Sequence, residues 1–416
     1  MSAVDHAFPR VAQPQRATLR LVGSAFVAFG VFLSGFVIDE PAPYELWIAA
    51  LVAIWFLLGL KISRAVAPLL CLLLAFNVGG MLSLTTMSDL TDGPIYVAVS
   101  AFLALSAVFY AAIIEDNHAR LRLIFHAWTA AAAITALLGI LGYFHAFPGA
   151  AAFTLYDRAK GAFQDPNVFG PFLVAPSLYL IYGMLAGDFR KTPLRAAILL
   201  VLALGVFLSF SRAAWALFLF CAMALVFVML LKERSGAFRL RILILALAAI
   251  LLMTVALLIA LQFPQVRALF LARAELVQDY DGGHLGRFER HRLGLLMSME
   301  RPLGMGPLVF GKIFSEDEHN IWLKTLTSYG WLGFSTYIAM LIWTLCIGFR
   351  NLLRDRPWQP YLMIAWITVI GHAAIGNVID TDHWRHFYLL VGIVWGCGAL
   401  EARLWRRQRL SAVAAT

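Results

Sequence analysis

The sequence predicts an all-α polytopic membrane protein, and three observations lead to this fold class. The 416 residues are 61% hydrophobic and only 14% charged, with a mean hydropathy of +0.79. Soluble domains carry about 25% charged residues, so the apolar segments of this chain are expected to face lipid. These segments have the length of helices, are rich in Leu and Ala and lack a period of two, which favours helices over barrel strands.

About twelve segments are long and apolar enough to cross a membrane. They lie at 20–38, 44–60, 66–84, 94–114, 121–145, 168–186, 194–210, 213–231, 239–262, 320–349, 361–380 and 386–401. The first is too long for the core of a signal peptide, and we expect it to be an uncleaved span. The four cysteines fall in different apolar segments without paired spacing, and they predict neither a disulfide nor a metal site.

The basic residues predict how the chain is oriented. The side of the membrane that holds the N-terminus carries 21 of the 33 Lys and Arg residues and a net charge of +14, against −5 on the other side. Both termini are therefore expected in the cytoplasm of a bacterial cell, with the protein in the inner membrane. Because the basic residues are spread over many loops, the net charge of +9 does not indicate a nucleic-acid partner.

This orientation divides the chain into five parts. They are a cytoplasmic N-terminal tail (1–19), transmembrane helices one to nine (20–262), a periplasmic loop with short amphipathic helices (263–319), transmembrane helices ten to twelve (320–401) and a basic cytoplasmic tail (402–416). The loop concentrates arginines, carboxylates and histidines in an otherwise apolar chain. We therefore expect the chemistry of the protein to occur there.

The turn LSFSRAAW places Arg212 at the outer boundary between two predicted spans with almost no loop. Its side chain could simply extend to lipid headgroups. A desolvated guanidinium beside Ser209 and Ser211 also suits a phosphate group, because it offers five donors in a fixed fork. We favour an anion site at Arg212.

A second basic pair, Arg158 and Lys160, precedes the turn signal Asp165-Pro166-Asn167 and a Pro-containing span. Irregular backbone at membrane depth is tolerated where it lines a cavity. The pair is therefore either part of the loop structure or in contact with a ligand, and we keep both residues as candidate binding residues.

The stretch 286–306 predicts a helix that turns Arg287, Arg290 and His291 to one side. Apolar residues at Leu293, Leu296 and Met297 fit an amphipathic helix on the membrane surface. Arg290 is a candidate substrate contact. The alternative places it on a lipid-facing stripe, where it would bind anionic headgroups and its loss would have little effect.

The run EDEHN (316–320) precedes the tenth predicted span and has three interpretations. Its carboxylates with His319 could bind a divalent cation, if a later loop containing Asp380, Asp382, His383 and His386 lay close. Alternatively, the carboxylates raise the pKa of His319 and orient its ring as a general base. His319 could also be a structural residue at the membrane interface.

Four stretches in combination resemble the O-antigen ligase and polymerase superfamily of bacterial membrane glycosyltransferases. They are RAKGAFQDPNVFG (158–170), FLSFSRAAW (207–215), GRFERHRLGLLMSMERPLGMG (286–306) and EHNIWLKTLTSYGWLGF (318–334). The resemblance implies transfer of a glycan from undecaprenyl diphosphate to an acceptor at the periplasmic face. The acceptor is the lipid A core for ligases and another lipid-linked glycan for polymerases.

Matched position by position, the resemblance implies that Arg212, Arg287 and His319 are catalytic. Asn320 completes the His-Asn motif as a substrate-binding residue. No metal or other cofactor is implied, because two arginines can stabilise the charge of the leaving diphosphate. We expect a ligase, with a polymerase as the alternative, and membrane lipids as surroundings. A transporter or flippase would also have many spans, but the sequence halves show no internal repeat.

Overall fold

The computed structural model of the chain describes residues 14–59, 62–233, 235–274 and 286–414. Residues 1–13, 60–61, 234, 275–285 and 415–416 lie outside the described residues. The predicted tails and the predicted periplasmic loop are therefore described only in part.

The described residues are almost entirely helical. The helices are α1 (Pro14–Leu33), α2 (Pro43–Leu57), α3 (Ala67–Leu84), α4 (Gly93–Asp116), α5 (Arg120–Tyr143), α6 (Pro166–Phe172), α7 (Val174–Ala186), α8 (Thr192–Leu208), α9 (Arg212–Lys232), α10 (Gly236–Ala260), α11 (Pro264–Ala274), α12 (Arg287–Glu300), α13 (Val309–Phe314), α14 (Ile321–Asn351), α15 (Gln359–Ile375) and α16 (Arg385–Ala414). Two 3₁₀ helices (Ala150–Phe153 and Phe189–Lys191) and two short strands, β1 (Thr154–Leu155) and β2 (Arg158–Ala159), complete the elements.

The predicted apolar segments all coincide with helices. Within the described ranges, nine helical segments are long and apolar enough to cross a membrane, and three shorter apolar helices accompany them at 21–33, 43–57 and 359–375. The chain is therefore a polytopic helical membrane protein. That all twelve segments cross the membrane stays a prediction.

The bundle is built on close contacts between helices, with α14 against α3, α16 against α4 and α1 against α5. At the α3–α14 contact, a Cβ added to Gly79 would lie 2.5 Å from the backbone oxygen of Tyr329. The rings of Phe76 and Tyr329 stack there with centroids 4.0 Å apart. Small residues that let helices approach closely are typical of membrane bundles.

The predicted tenth span is interrupted rather than continuous. Gly330, within α14, has φ 65° and ψ −172°. The backbone amide of Trp331 donates to the carbonyl of Pro302 at 2.9 Å, so a neighbouring loop supplies a partner at the break. A Cβ at position 330 would lie 2.7 Å from the carbonyl oxygen of Leu303. Only glycine combines this backbone conformation with such a close approach.

A small hairpin departs from the all-helical prediction. β1 and β2 pair antiparallel, with Leu155 opposite Arg158. The two residues between them, Tyr156 and Asp157, have φ of 51° and 55°, as a two-residue type I′ turn requires. The hairpin fixes the position of Arg158, which would otherwise lie in an irregular loop.

Candidate active site

One cavity of about 710 Å³ lies at the end of the bundle where α9, α12 and α14 begin. Four of the seven predicted site residues line it, each from a separate segment of the chain: Arg158, Arg212, Arg287 and His319. Asn167 and Glu316 line the same polar end. The fold therefore brings together residues that are far apart in the sequence.

The rest of the cavity is apolar and runs between α9 and α15. Its walls include Leu217 and Phe220 from α9, and Ile375 and Val378 from α15 and the loop that follows it. Phe220 and Val378 are both exposed, so this apolar groove is open at these two residues. At its base the two helices are in close contact, because a Cβ on Gly371 would lie 2.4 Å from Leu217.

Arg212 is positioned by a tight turn between α8 and α9. Phe210 in this turn has a φ of 45°. The hydroxyl of Ser211 caps α9 by accepting from the amide of Ala214 at 3.4 Å, and the hydroxyl of Ser209 donates to the carbonyl of Val206 at 2.7 Å. The two serines therefore stabilise the turn, and Arg212 is the first residue of α9. The positive end of that helix adds to the field of its guanidinium.

Arg158 is buried and stabilises the turn that carries Arg212. Its Nε donates to the carbonyl of Ser209 at 2.8 Å, and its Nη2 donates to Oδ1 of Asn167 at 2.9 Å. Both of these partners are uncharged. Lys160 differs from Arg158, because its side chain does not line the cavity.

Arg287 is the first residue of α12, as Arg212 is of α9, and it reaches the cavity. Arg290, three residues later, does not lie on a lipid-facing stripe, and that interpretation is wrong. Its side chain is buried and forms an ion pair with Glu316. The buried face of α12 consists of Arg290, Gly294 and Ser298, because a Cβ at Gly294 would lie 2.6 Å from the ring of Phe310. Small residues, rather than the large apolar ones, mark the packed face.

His319 is held by its backbone at the edge of the cavity. It has a φ of 46°, and its amide donates to Oδ2 of Asp380 at 3.2 Å. Its side chain is 41% exposed, and its Nδ1 lies 4.0 Å from the same carboxylate, too far for a hydrogen bond. The partly exposed ring therefore lines the cavity without a hydrogen bond to Asp380.

The predicted direction of the His319 pKa is wrong. Partial burial lowers the pKa of His319 below its usual value of 6.5, and the positive charge of Arg287 lowers it further. The carboxylates of Asp317 and Glu316 act in the opposite direction but do not prevail. A lowered pKa keeps the imidazole neutral near pH 7, which is the form that can accept a proton.

Asn320 is placed as a helix cap rather than as a side chain of the cavity wall. Its Oδ1 accepts from the amide of Leu323 at 3.0 Å, and its Nδ2 donates to the carbonyl of Asn377 at 3.1 Å. Its own amide donates to Oδ1 of Asp380 at 2.9 Å. Asp380 thus binds two successive amides at the start of α14.

The two acidic loops of the metal alternative do meet, but their carboxylates have other partners. Glu318 is buried, with one oxygen 3.0 Å from Nζ of Lys324 and the other accepting from the hydroxyl of Thr327 at 2.5 Å. Asp382 accepts from the hydroxyl of Tyr96 at 2.5 Å. In the described part of the chain, no three His, Cys, Asp or Glu side chains are grouped as metal ligands.

Sequence reasoning missed three residues that shape the site. The sequence indicates Asp380 only as a metal ligand, Asn167 only as a turn residue, and His291 only as part of a helical face. His291 Nε2 lies 2.6 Å from the carbonyl oxygen of Glu318. Because a carbonyl only accepts, this nitrogen carries the proton. A polar residue in an Asp-Pro-Asn turn near a basic pair was the one local signal for Asn167.

These features define a polytopic membrane protein whose bundle holds an arginine-rich cavity with a histidine at its edge. A family model described as O-antigen ligase matches residues 197–338, which include Arg212, Arg287 and His319. The match identifies this segment as an O-antigen ligase domain. The family comprises membrane glycosyltransferases of the ligase or polymerase type, which use lipid-linked glycans. No curated protein matches the chain.

Proposed function

We propose that this protein is a ligase that transfers a polysaccharide from undecaprenyl diphosphate to a hydroxyl group of a lipid A core acceptor. The observation that carries the proposal is the two-part cavity, with Arg158, Arg212 and Arg287 at one end and the α9–α15 groove at the other. A diphosphate is attracted by clustered guanidinium groups. A polyprenyl chain gains free energy by burying apolar surface.

The electrostatics of the polar end support an anionic donor. Among the residues that the structure describes, Arg158, Arg212 and Arg287 line it together with Glu316, and Glu316 is paired with Arg290. The N-terminal ends of α9 and α12 also lie at the cavity, and the positive end of a helix dipole favours negative charge. A diphosphate bound there would replace water around charges that the fold has already oriented.

The proposed reaction is a single displacement at the anomeric carbon. The neutral imidazole of His319 takes the proton of the acceptor hydroxyl as its oxygen forms a bond to that carbon. The bond from the same carbon to the diphosphate oxygen breaks, and the diphosphate leaves as an anion stabilised by Arg212 and Arg287. Attack opposite to the leaving group inverts the anomeric configuration.

In this proposal the arginines, and no metal ion, balance the charge of the leaving group. Turnover should therefore persist when divalent cations are removed from purified protein with a chelator. Loss of turnover that magnesium or manganese restores would instead support the metal interpretation, with Asp380 and Asp382 as ligands.

The site is proposed to face the periplasm. In this orientation the tails 1–19 and 402–416 are cytoplasmic and the loop 263–319 is periplasmic, as the distribution of basic residues predicts. A phosphatase fused after Phe263 should be active, and one fused after Leu352 should be inactive. The reverse pattern would contradict both the orientation and the proposed substrates.

A deletion strain tests the choice between ligase and polymerase. Loss of polymer from lipid A, with lipid-linked chains of normal length accumulating, is the result expected for a ligase. Accumulation of single lipid-linked repeats would indicate a polymerase. Purified protein that fails to consume a lipid-linked donor without an energy source would contradict both and favour a transporter.

A further inference from the structure

A second cavity of about 520 Å³ lies at the other end of the bundle, between the C-terminal parts of α14 and α16. Its lining on α14 begins at Trp343, beyond the break at Gly330, whereas His319 precedes the first residue of that helix. Its lining changes from apolar, at Trp343 and Cys346, to basic, at Arg350, Arg354 and Arg409. This cavity takes no part in the proposed reaction.

The acidic residue of this second cavity is fully engaged by its neighbours. Glu401 is buried and accepts from Arg354 Nη1 at 2.6 Å, from Arg356 Nε at 2.8 Å and from the indole of Trp405 at 2.9 Å. Within the described ranges, neither Arg350 nor Arg409 has a carboxylate within ion-pair distance. The cavity therefore has an excess of positive charge that Glu401 does not compensate.

Its apolar part continues onto the outside of the bundle. Trp343 and Trp405 are each exposed over nearly half of their surface, and Cys346 is exposed as well. Tryptophan is typical of the boundary between headgroups and acyl chains. A ligand with one anionic group and an attached apolar chain matches this order of residues.

We propose that this second cavity binds an anionic phospholipid, with its phosphate between Arg350 and Arg409 and its acyl chains along Trp343 and Cys346. Basic pockets between membrane helices bind the headgroups of such lipids. The site is independent of the proposed glycosyl transfer, so either assignment can fail without the other.

The test measures the thermal unfolding midpoint of the full-length protein in detergent as phosphatidylglycerol is added. The test variant is Arg350→Gln with Arg409→Gln. The matched control is Arg406→Gln with Arg407→Gln, which removes the same charge from exposed positions of α16 outside the cavity. Bound lipid should raise the midpoint of the wild type and of the control. The test variant should need roughly 10- to 30-fold more lipid for the same rise.

Three results would overturn the proposal. Equal loss in both double variants would mean general attraction to a basic surface. The same rise with inorganic phosphate alone would mean that the ligand is a free anion. An equal response to phosphatidylcholine would mean that the cavity does not distinguish an anionic lipid from a zwitterionic one. The midpoint without lipid shows whether each variant is folded.

Discussion

His291 Nε2 donates to the backbone carbonyl of Glu318 at 2.6 Å, and this hydrogen bond joins α12 to the segment that carries His319. The ion pair between Arg290 and Glu316 is a second link between the same two segments. Arg287 lies one helical turn before His291, so both links determine where its guanidinium stands relative to His319. In this way α12 aligns two proposed catalytic groups from different parts of the chain.

Replacing Arg290 should therefore impair turnover although it is not placed on the reacting atoms. We expect Arg290→Ala to lower the turnover rate roughly tenfold, because even a displacement of about 1 Å at a reacting group is costly. The measurement is turnover of a lipid-linked donor in detergent at saturating concentration.

The chain offers a matched control at Arg292, which lies on the exposed side of α12. Arg292→Ala should retain nearly full activity. The double change Arg290→Glu with Glu316→Arg should recover part of the loss, because the pair is reversed rather than broken. Equal activities for the two alanine variants would show that the ion pair does not position the site.

His319→Ala should lower turnover by about 10²–10⁴-fold while donor binding stays near the wild-type value, as expected for the loss of a positioned base. Arg212→Ala and Arg287→Ala should weaken donor binding as well, and lysine should restore it only in part. Turnover and donor binding are measured separately.

His145→Asn is the control, because His145 is exposed and has a φ of 50°, which asparagine tolerates. Loss of donor binding in His319→Ala would contradict its role as a base.

The pH profile should report the neutral form of His319. The rate is expected to fall as the pH drops through the lowered pKa of His319, because the protonated ring cannot accept a proton. Removing a positive neighbour, as in Arg287→Gln, should move this acid limb to higher pH. Asp317→Asn removes a negative neighbour and should move it to lower pH.

Asp380 is a second titrating group beside His319, and burial raises its pKa to about 7. Lys324 and Glu318 have the largest electrostatic effects on it. If the acid limb of the pH profile lies at the same pH in Arg287→Gln as in the wild type, the titrating group is Asp380. That result would contradict the assignment to His319.

Asn320 should tolerate replacements that preserve the helix cap. Asn320→Ala is expected to destabilise the protein by about 0.5–2 kcal/mol, because the amide of Leu323 loses its acceptor. Asn320→Ser should retain most of the stability and turnover. Thermal unfolding and turnover are measured on both variants. If Asn320→Ser is folded but as inactive as Asn320→Ala, Asn320 contacts the substrate instead.

The sequence predicts the helices and part of the site for clear physical reasons. Apolar segments long enough to span a bilayer are recognisable one at a time, and each coincides with a helix. Arg212 is also recognisable locally, as a basic residue at the start of an apolar helix, whereas only the family resemblance distinguishes Arg287 from the arginines around it. The proximity of these residues in one cavity depends on the packing of the bundle.

Other features could not be predicted from short stretches of sequence, because they depend on residues that are distant in the chain. The break at Gly330 needs the loop around Leu303, and a glycine inside an apolar segment is compatible with an unbroken helix. From the sequence, Arg290 is either a substrate contact or part of a lipid-facing stripe, because its apolar neighbours fit a helix on the membrane surface. In the structure, Gly294 and Ser298 form the packed face together with Arg290. The pKa of His319 depends on burial beside Arg287, which no spacing reveals.

The opening of the α9–α15 groove at Phe220 and Val378 has a consequence for how substrate concentration should be expressed. A donor that enters sideways from the bilayer never crosses bulk water, so its supply depends on lateral diffusion in two dimensions. Saturation then follows the mole fraction of donor among the surrounding lipids or detergent, and not its molarity. Adding inert lipid at constant donor would slow the reaction simply by surface dilution.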